Sequence, residues 1–194
     1  MLISKKKSLM VIFDPYRDRL ARDIRNSLSS ALVNELTGNA DGNLAVVADD
    51  WLSKGPAPIY QTYIKDRLSI YRRAIDEIRA GHVLDPRYQA IYLWNLGLFF
   101  EMHEILETLW LKTCEPERSA LKGWIQAAGV YVHFNRGNVD AARRLARKAE
   151  RHLRKGCSFL GFISNLDQLI EAISDPTDVA PQIISVHFVN NTWQ

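Results

Sequence analysis

Residues 99 to 110, Phe-Phe-Glu-Met-His-Glu-Ile-Leu-Glu-Thr-Leu-Trp, decide how this chain folds. At 3.6 residues per turn, Phe99, Met102, Leu106 and Leu109 form one apolar stripe of a helix. His103 falls inside the edge of that stripe and Glu107 lies one turn further along. Glu104 sits between Phe100 and Leu111 rather than on an open polar face. Unpaired buried charge is costly, so an imidazole and carboxylates turned toward packing predict hydrogen bonding, proton sharing or a metal here.

Outward from this stretch the periodicity is helical almost everywhere. Asp14-Pro15 is read as an N-cap followed by a first-turn proline, opening a helix whose apolar face is Leu20, Ile24, Leu28, Ala31 and Leu32. Thr37 to Asn43 is a loop by composition. A short helix from Leu44 to Leu52 follows, and Gly55-Pro56-Ala57-Pro58 breaks it. Ile59 to Arg79 reads as a long helix closed by Gly81, and Asp85-Pro86 repeats the start signal. Further helices are expected over 117–134, 138–155 and 159–173. The tail from Pro181 reads as extended chain laid over the helices, with a short strand against Leu9–Phe13 as the alternative.

Trp94-Asn95-Leu96-Gly97 and Phe134-Asn135-Arg136-Gly137 share the pattern aromatic, Asn, any residue, Gly, and Asn138 follows the second copy. Asn and Gly tolerate the left-handed backbone that ends a helix, so Asn95, Gly97, Gly137 and Asn138 are assigned to turns between antiparallel helices. The expected fold is all-α: stacked helical hairpins, 86–94 with 98–112 and 117–134 with 138–155. Such units look like tetratricopeptide repeats, although a third copy is missing from the sequence. Residues 1–80 would be a helical extension packed on a core of 81–175, with 176–194 as an extended tail and the whole forming one compact unit.

On the 117–134 helix, Gln126 and His133 are seven residues apart and share a face, with Gly129 between them. A mid-helix glycine costs about 1 kcal/mol relative to alanine, which suggests close approach of a neighbour. The expectation is that Gly129 admits the 99–110 helix, so that Gln126 and His133 face His103, Glu104 and Glu107.

The run Asn95-Leu96-Gly97-Leu98-Phe99-Phe100-Glu101-Met102-His103-Glu104-Ile105-Leu106-Glu107, then Trp110, Gly123-Trp124-Ile125-Gln126, His133 and Gly137-Asn138, resembles the domain-of-unknown-function 309 family. The family pattern is roughly Asn-x-Gly-x-Phe-Phe-Glu-Ala-His-Glu-x-Leu-Glu, followed by Gly-Leu-Ile-Gln, a histidine and Gly-Asn. Met102 stands for the usual Ala and Trp124 for the usual Leu, and the polar set is complete. The resemblance spans about residues 86–155. It implies a compact all-α fold and no established activity.

The polar set is Glu101, His103, Glu104, Glu107, Gln126 and His133, and three readings of it stand side by side. It could be a structural hydrogen-bond network fixing helix register. It could hold a divalent metal through His103, Glu107 and His133, a two-histidine, one-carboxylate set. Or it could be a metal-free ligand pocket or acid–base site, with Glu101 or Glu104 working beside a histidine; a hydrolase would be the enzyme class. The leading reading is a pocket for a small ligand or a divalent metal. The runner-up is an interaction module, in which these residues only hold the fold and a protein partner binds the basic helix or a concave face.

Composition narrows the partners. Hydrophobic residues make up 47% and charged ones 24% of 194 residues, which is ordinary for a globular domain. A net charge of +3 disfavours nucleic acid. Arg143, Arg144, Arg147, Lys148, Arg151, Arg154 and Lys155 crowd one side of the 138–155 helix, which reads first as a solvated face. Arg17, Arg19, Arg22 and Arg25 alternate with Asp18 and Asp23, suggesting salt-bridged surface. Trp51, Trp94, Trp110 and Trp124 are expected in the core, and His82, His152 and His187 look incidental. Cys114 and Cys157 offer no disulfide framework. Lys5-Lys6-Lys7 precedes an apolar run too short for a leader, and no segment reaches the ~20 apolar residues that span a bilayer. The expectation is a cytoplasmic protein without a membrane partner; self-association is compatible with the sequence.

Overall fold

The computed structural model describes residues 12–38 and 43–185. Asp18, not Asp14, caps the first helix: its side chain accepts the Leu20 amide, and α1 runs Arg19–Thr37. Asp14-Pro15 instead starts a turn, in which the Asp14 carboxylate takes the Tyr16 amide and its carbonyl takes those of Arg17 and Asp18. The local signal was therefore genuine, but it closes a turn four residues early. Gly38, at φ 75°, ends α1.

The other starts follow the same chemistry. Asn43 accepts the Ala45 and Val46 amides to open α2 (Leu44–Ser53). Pro58, a first-turn proline with no amide to lose, opens α3 (Pro58–Ala80). Asp85 takes the Arg87 amide at the head of α4 (Pro86–Asn95). Then come α5 (Phe99–Trp110), α6 (Glu117–Phe134) and α7 (Val139–Lys155), the last capped by Asn138. A 3-10 turn at Cys157–Phe159 delays α8 to Leu166–Ser174, later than the expected start at 159.

Both aromatic-Asn-x-Gly copies make the predicted turn. Gly97 has φ 71° and Gly137 φ 73°. In each copy the amide after the glycine reaches back five residues, Leu98 to Leu93 at 2.8 Å and Asn138 to His133 at 3.0 Å. These turns fold α4 onto α5 and α6 onto α7, and α5 lies against α6, so the two hairpins stack.

The α6–α7 pair is the most extensive helix contact in the molecule. Alanines 142, 146 and 149, with Leu153, form the buried face of α7, and a Cβ on Gly123 would stand 2.6 Å from the Leu153 backbone nitrogen. Small residues therefore set this helix spacing. Trp94, Trp124, Tyr71 and Tyr131 are the largest fully buried side chains, while Trp51 and Trp110 pack only partly buried against the core. A large apolar side chain moved wholly out of water contributes on the order of 2 kcal/mol.

The N-terminal helices share this core: buried residues form one cluster from Ile24 of α1 through Met102 of α5 to Ile183 of the tail. Pro181–Ser185 is extended chain with a single antiparallel bridge, Ile163 to Ser185. Leu9–Val11 of the strand alternative, the Lys5–Lys7 run, the loop centre 39–42 and His187 lie outside the described residues. Ile12 and Phe13 form no strand; Phe13 stacks on Tyr63 with ring centroids 3.6 Å apart. Among the described residues no helix is long and apolar enough to cross a membrane.

Candidate functional site

The six polar residues read from the sequence do not meet at one point. Gly129 explains why. A Cβ there would stand 2.6 Å from Leu145 Cδ2, so the neighbour it admits is α7 and not α5. Gln126 and His133 accordingly belong to the α6–α7 side. Gln126 Oε1 lies 2.8 Å from His152 Nδ1, which is also 3.0 Å from the Lys148 carbonyl. With an acceptor on each contact, Nδ1 carries the proton and donates. His152, thought incidental, is thus the partner of Gln126. His133 lies in a basic groove with Arg144, Arg147, Lys148 and Arg151, and its ring centroid is 6.4 Å from that of Tyr16. Burial, then Arg136 and Arg144, hold its pKa below the ordinary histidine value.

On α5, His103, Glu104 and Glu107 do gather: one potential ligand atom from each lies within 4.8 Å of the others. Spacings of one, three and four residues on a helix produce this grouping. His103 Nδ1 is 3.3 Å from Glu104 Oε1, yet it makes no aligned hydrogen bond and is shielded from solvent. His133, assigned with His103 and Glu107 as a metal ligand from sequence, is not in this group.

Glu101 is the deepest of the set. Its residue surface is 1% exposed, because α5 turns it inward toward α3 rather than toward α6. There the Tyr71 hydroxyl donates to Oε1, and Arg67 Nη1 stands 3.8 Å from the same oxygen. Burial and the Glu101 charge push the Tyr71 hydroxyl well above the usual phenol range, so it stays protonated and able to donate. Burial pushes Tyr63 up to about 12. The other oxygen, Oε2, is shielded from solvent and has no hydrogen-bond partner among the described residues.

Glu101 also lines a cleft with a volume of about 320 Å³, near the lower end of the range for small-molecule sites. Arg25 comes from α1, Tyr63 and Arg67 from α3, Phe100 from α5, and Arg136 from the α6–α7 turn. The Arg25 guanidinium lies 3.9 Å above the Phe100 ring centre. Arg25 was expected on a salt-bridged surface; among the described residues it has no carboxylate partner, whereas Arg19 pairs with Asp23 at 3.8 Å. Arg136 pairs with Asp14 and covers Tyr16.

Tyr63, Arg67 and Tyr71 escaped the sequence reading. They recur every four residues on α3, so they share one helix face, and that spacing was the signal that could have found them. The cleft and the His103 group are neighbours along α5, since the Phe100 and His103 rings lie 6.2 Å apart. Both cysteines are free and exposed.

Comparison with known proteins reaches the same helices. The chain is 36% identical over 62 residues to an uncharacterized protein of Aquifex aeolicus (strain VF5), a stretch covering 31% of this chain. The match spans about a fifth, 19%, of that relative's own length. No solved structure matches the chain. Residues 88–145, which bear Glu101, the His103 group, Gln126 and His133, match the family described as Domain of unknown function (DUF309).

Proposed function

We propose that this protein binds a small molecule in the cleft floored by Glu101. The observation that carries the reading is Glu101 Oε2, an acceptor shielded from solvent and without a donor among the described residues, on a side chain that lines an open cavity. A buried acceptor without a partner costs roughly 1–3 kcal/mol, and a ligand donor reaching it through a small rotation of the carboxylate would recover that cost. The cleft walls suit a ligand with an apolar body, since Phe13, Tyr63 and Phe100 supply rings and Arg25, Arg67 and Arg136 supply positive charge.

A thermal-shift screen of small metabolites, run on the wild type and on Tyr63→Ala, tests this. Ligands of the cleft should stabilise the wild type and lose that effect in the variant. Compounds that stabilise both proteins equally bind elsewhere and count against the reading.

A second reading is favoured by the grouping of His103, Glu104 and Glu107, which offers one nitrogen and two carboxylates to a divalent cation. Elemental analysis of untagged protein, prepared without chelators, tests it. Zinc, manganese or iron near one equivalent, lost on His103→Ala, supports it; metal-free protein with no response to added metal removes it.

A further inference from the structure

The charges around the cleft go further than its shape, and they rest on the reading of the cleft as a binding site. Two unmet demands of opposite kind line it. Glu101 is a lining residue whose Oε2, buried just behind the cleft surface, has no hydrogen-bond donor among the described residues. Arg25 presents a guanidinium that stacks on Phe100 and bonds to the Asn26 amide oxygen, with no carboxylate partner among the described residues. The other two cations are already engaged, Arg67 with Glu101 and Arg136 with Asp14.

We infer that the cleft selects a small amphoteric molecule, with an amine-type donor that docks on Glu101 and a carboxylate or phosphate that docks on Arg25. Neither half suffices alone. An anion without a donor leaves Oε2 unsatisfied and introduces negative charge beside Glu101. A cation without an anion meets three guanidinium groups at the walls. The aromatic part of the lining, Phe13, Tyr63 and Phe100, is ring surface, which favours a flat or aromatic body. Arg is suited to the rim role because its planar fork matches carboxylate and phosphate oxygens two at a time.

Calorimetric titration with five probes tests the inference. L-phenylalanine carries an ammonium with a carboxylate, and adenosine monophosphate an exocyclic amine with a phosphate. Acetate and inorganic phosphate carry only the anion, and methylammonium only the donor. At least one amphoteric probe should bind, and none of the three single-group probes should bind at the same concentration. Arg25→Met, which keeps an unbranched chain over Phe100, should weaken the amphoteric probe by at least about tenfold. The Glu101→Gln protein should lose it as well; if that variant fails to fold, Arg25→Met decides the matter.

If acetate or phosphate binds as well as the amphoteric probes, the inference fails and the cleft is an anion site. If neutral aromatic compounds occupy the cleft while all five probes do not, the inference fails and the binding reading survives. If nothing enters the cleft, both fail.

Discussion

The hydroxyl of Tyr71 donates to Glu101 Oε1, joining α3 to α5 where the two residues are 0% and 1% exposed. The bond ties the N-terminal helices to the hairpin stack through polar groups as well as apolar packing. Removing the carboxylate should cost more than removing the hydroxyl. Glu101→Ala leaves both Tyr71 and Arg67 without their acceptor and should destabilise by about 3–5 kcal/mol. Tyr71→Phe loses one donor and should cost about 1–3 kcal/mol. In urea denaturation the double variant should fall well short of the sum. Additive effects would mean the two side chains do not interact.

Gly123 and Gly129 of α6 look alike in sequence, but they should respond differently to alanine. At Gly123 the new Cβ meets the Leu153 backbone 2.6 Å away, so the helices must separate, at about 1–3 kcal/mol. At Gly129 it meets the end of the Leu145 side chain, which can rotate, and alanine gains about 1 kcal/mol of helix propensity. Gly129→Ala should therefore stay within about 1 kcal/mol of wild type. Equal losses at both positions would contradict the packing described.

Asn95 holds the tail as well as occupying a turn. Its amide gives to the Ile183 carbonyl at 3.0 Å and takes the Ile183 amide at 2.8 Å. Asn95→Ala should speed hydrogen exchange of the Ile183 amide while global stability falls by no more than about 2 kcal/mol. Unchanged exchange at Ile183 would show that Trp94, bonded to the Pro181 carbonyl, and Asn165 hold the tail by themselves.

Acid should weaken the α6–α7 pair through its histidines. Burial is the first cause that lowers His133 and His152 below 6.5, with Arg136 and Arg144 adding to His133 and Lys122 to His152. The unfolded chain then binds protons more readily than the folded one. Their contribution is complete above about pH 6.5 and is lost as pH falls through the lower folded values. His133→Gln with His152→Gln should flatten the fall in unfolding free energy between about pH 6.5 and pH 5. The same slope in wild type and variant would show that carboxylates alone control acid stability.

Much of the fold was legible because its signals are local. The Asp85-Pro86 start, the paired Gly97 and Gly137 turns and the apolar stripe of residues 99 to 109 need no knowledge of distant chain. The α5 helix does bury one carboxylate, but it is Glu101; His103, Glu104 and Glu107, expected to turn toward packing, are not buried. What failed was the choice of facing partners, because periodicity says which residues share a face and not which helix covers it. Gly129 announces a close neighbour in either case; only the packed fold shows that the neighbour is Leu145. Arg67 and Tyr71 precede Glu101 by 34 and 30 positions, so no local pattern joins them to it. Asp14 misled for a different reason: Asp-Pro suits a turn as well as a helix start.

The most direct test of the cleft is crystallographic fragment soaking, which does not depend on knowing the ligand. Fragments should cluster between Tyr63, Phe100 and Arg25, with an N–H or O–H donor about 3 Å from Glu101 Oε2. Fragments that avoid the cleft and gather along the basic groove of α7, with Oε2 paired to a side chain of the protein itself, would contradict the account.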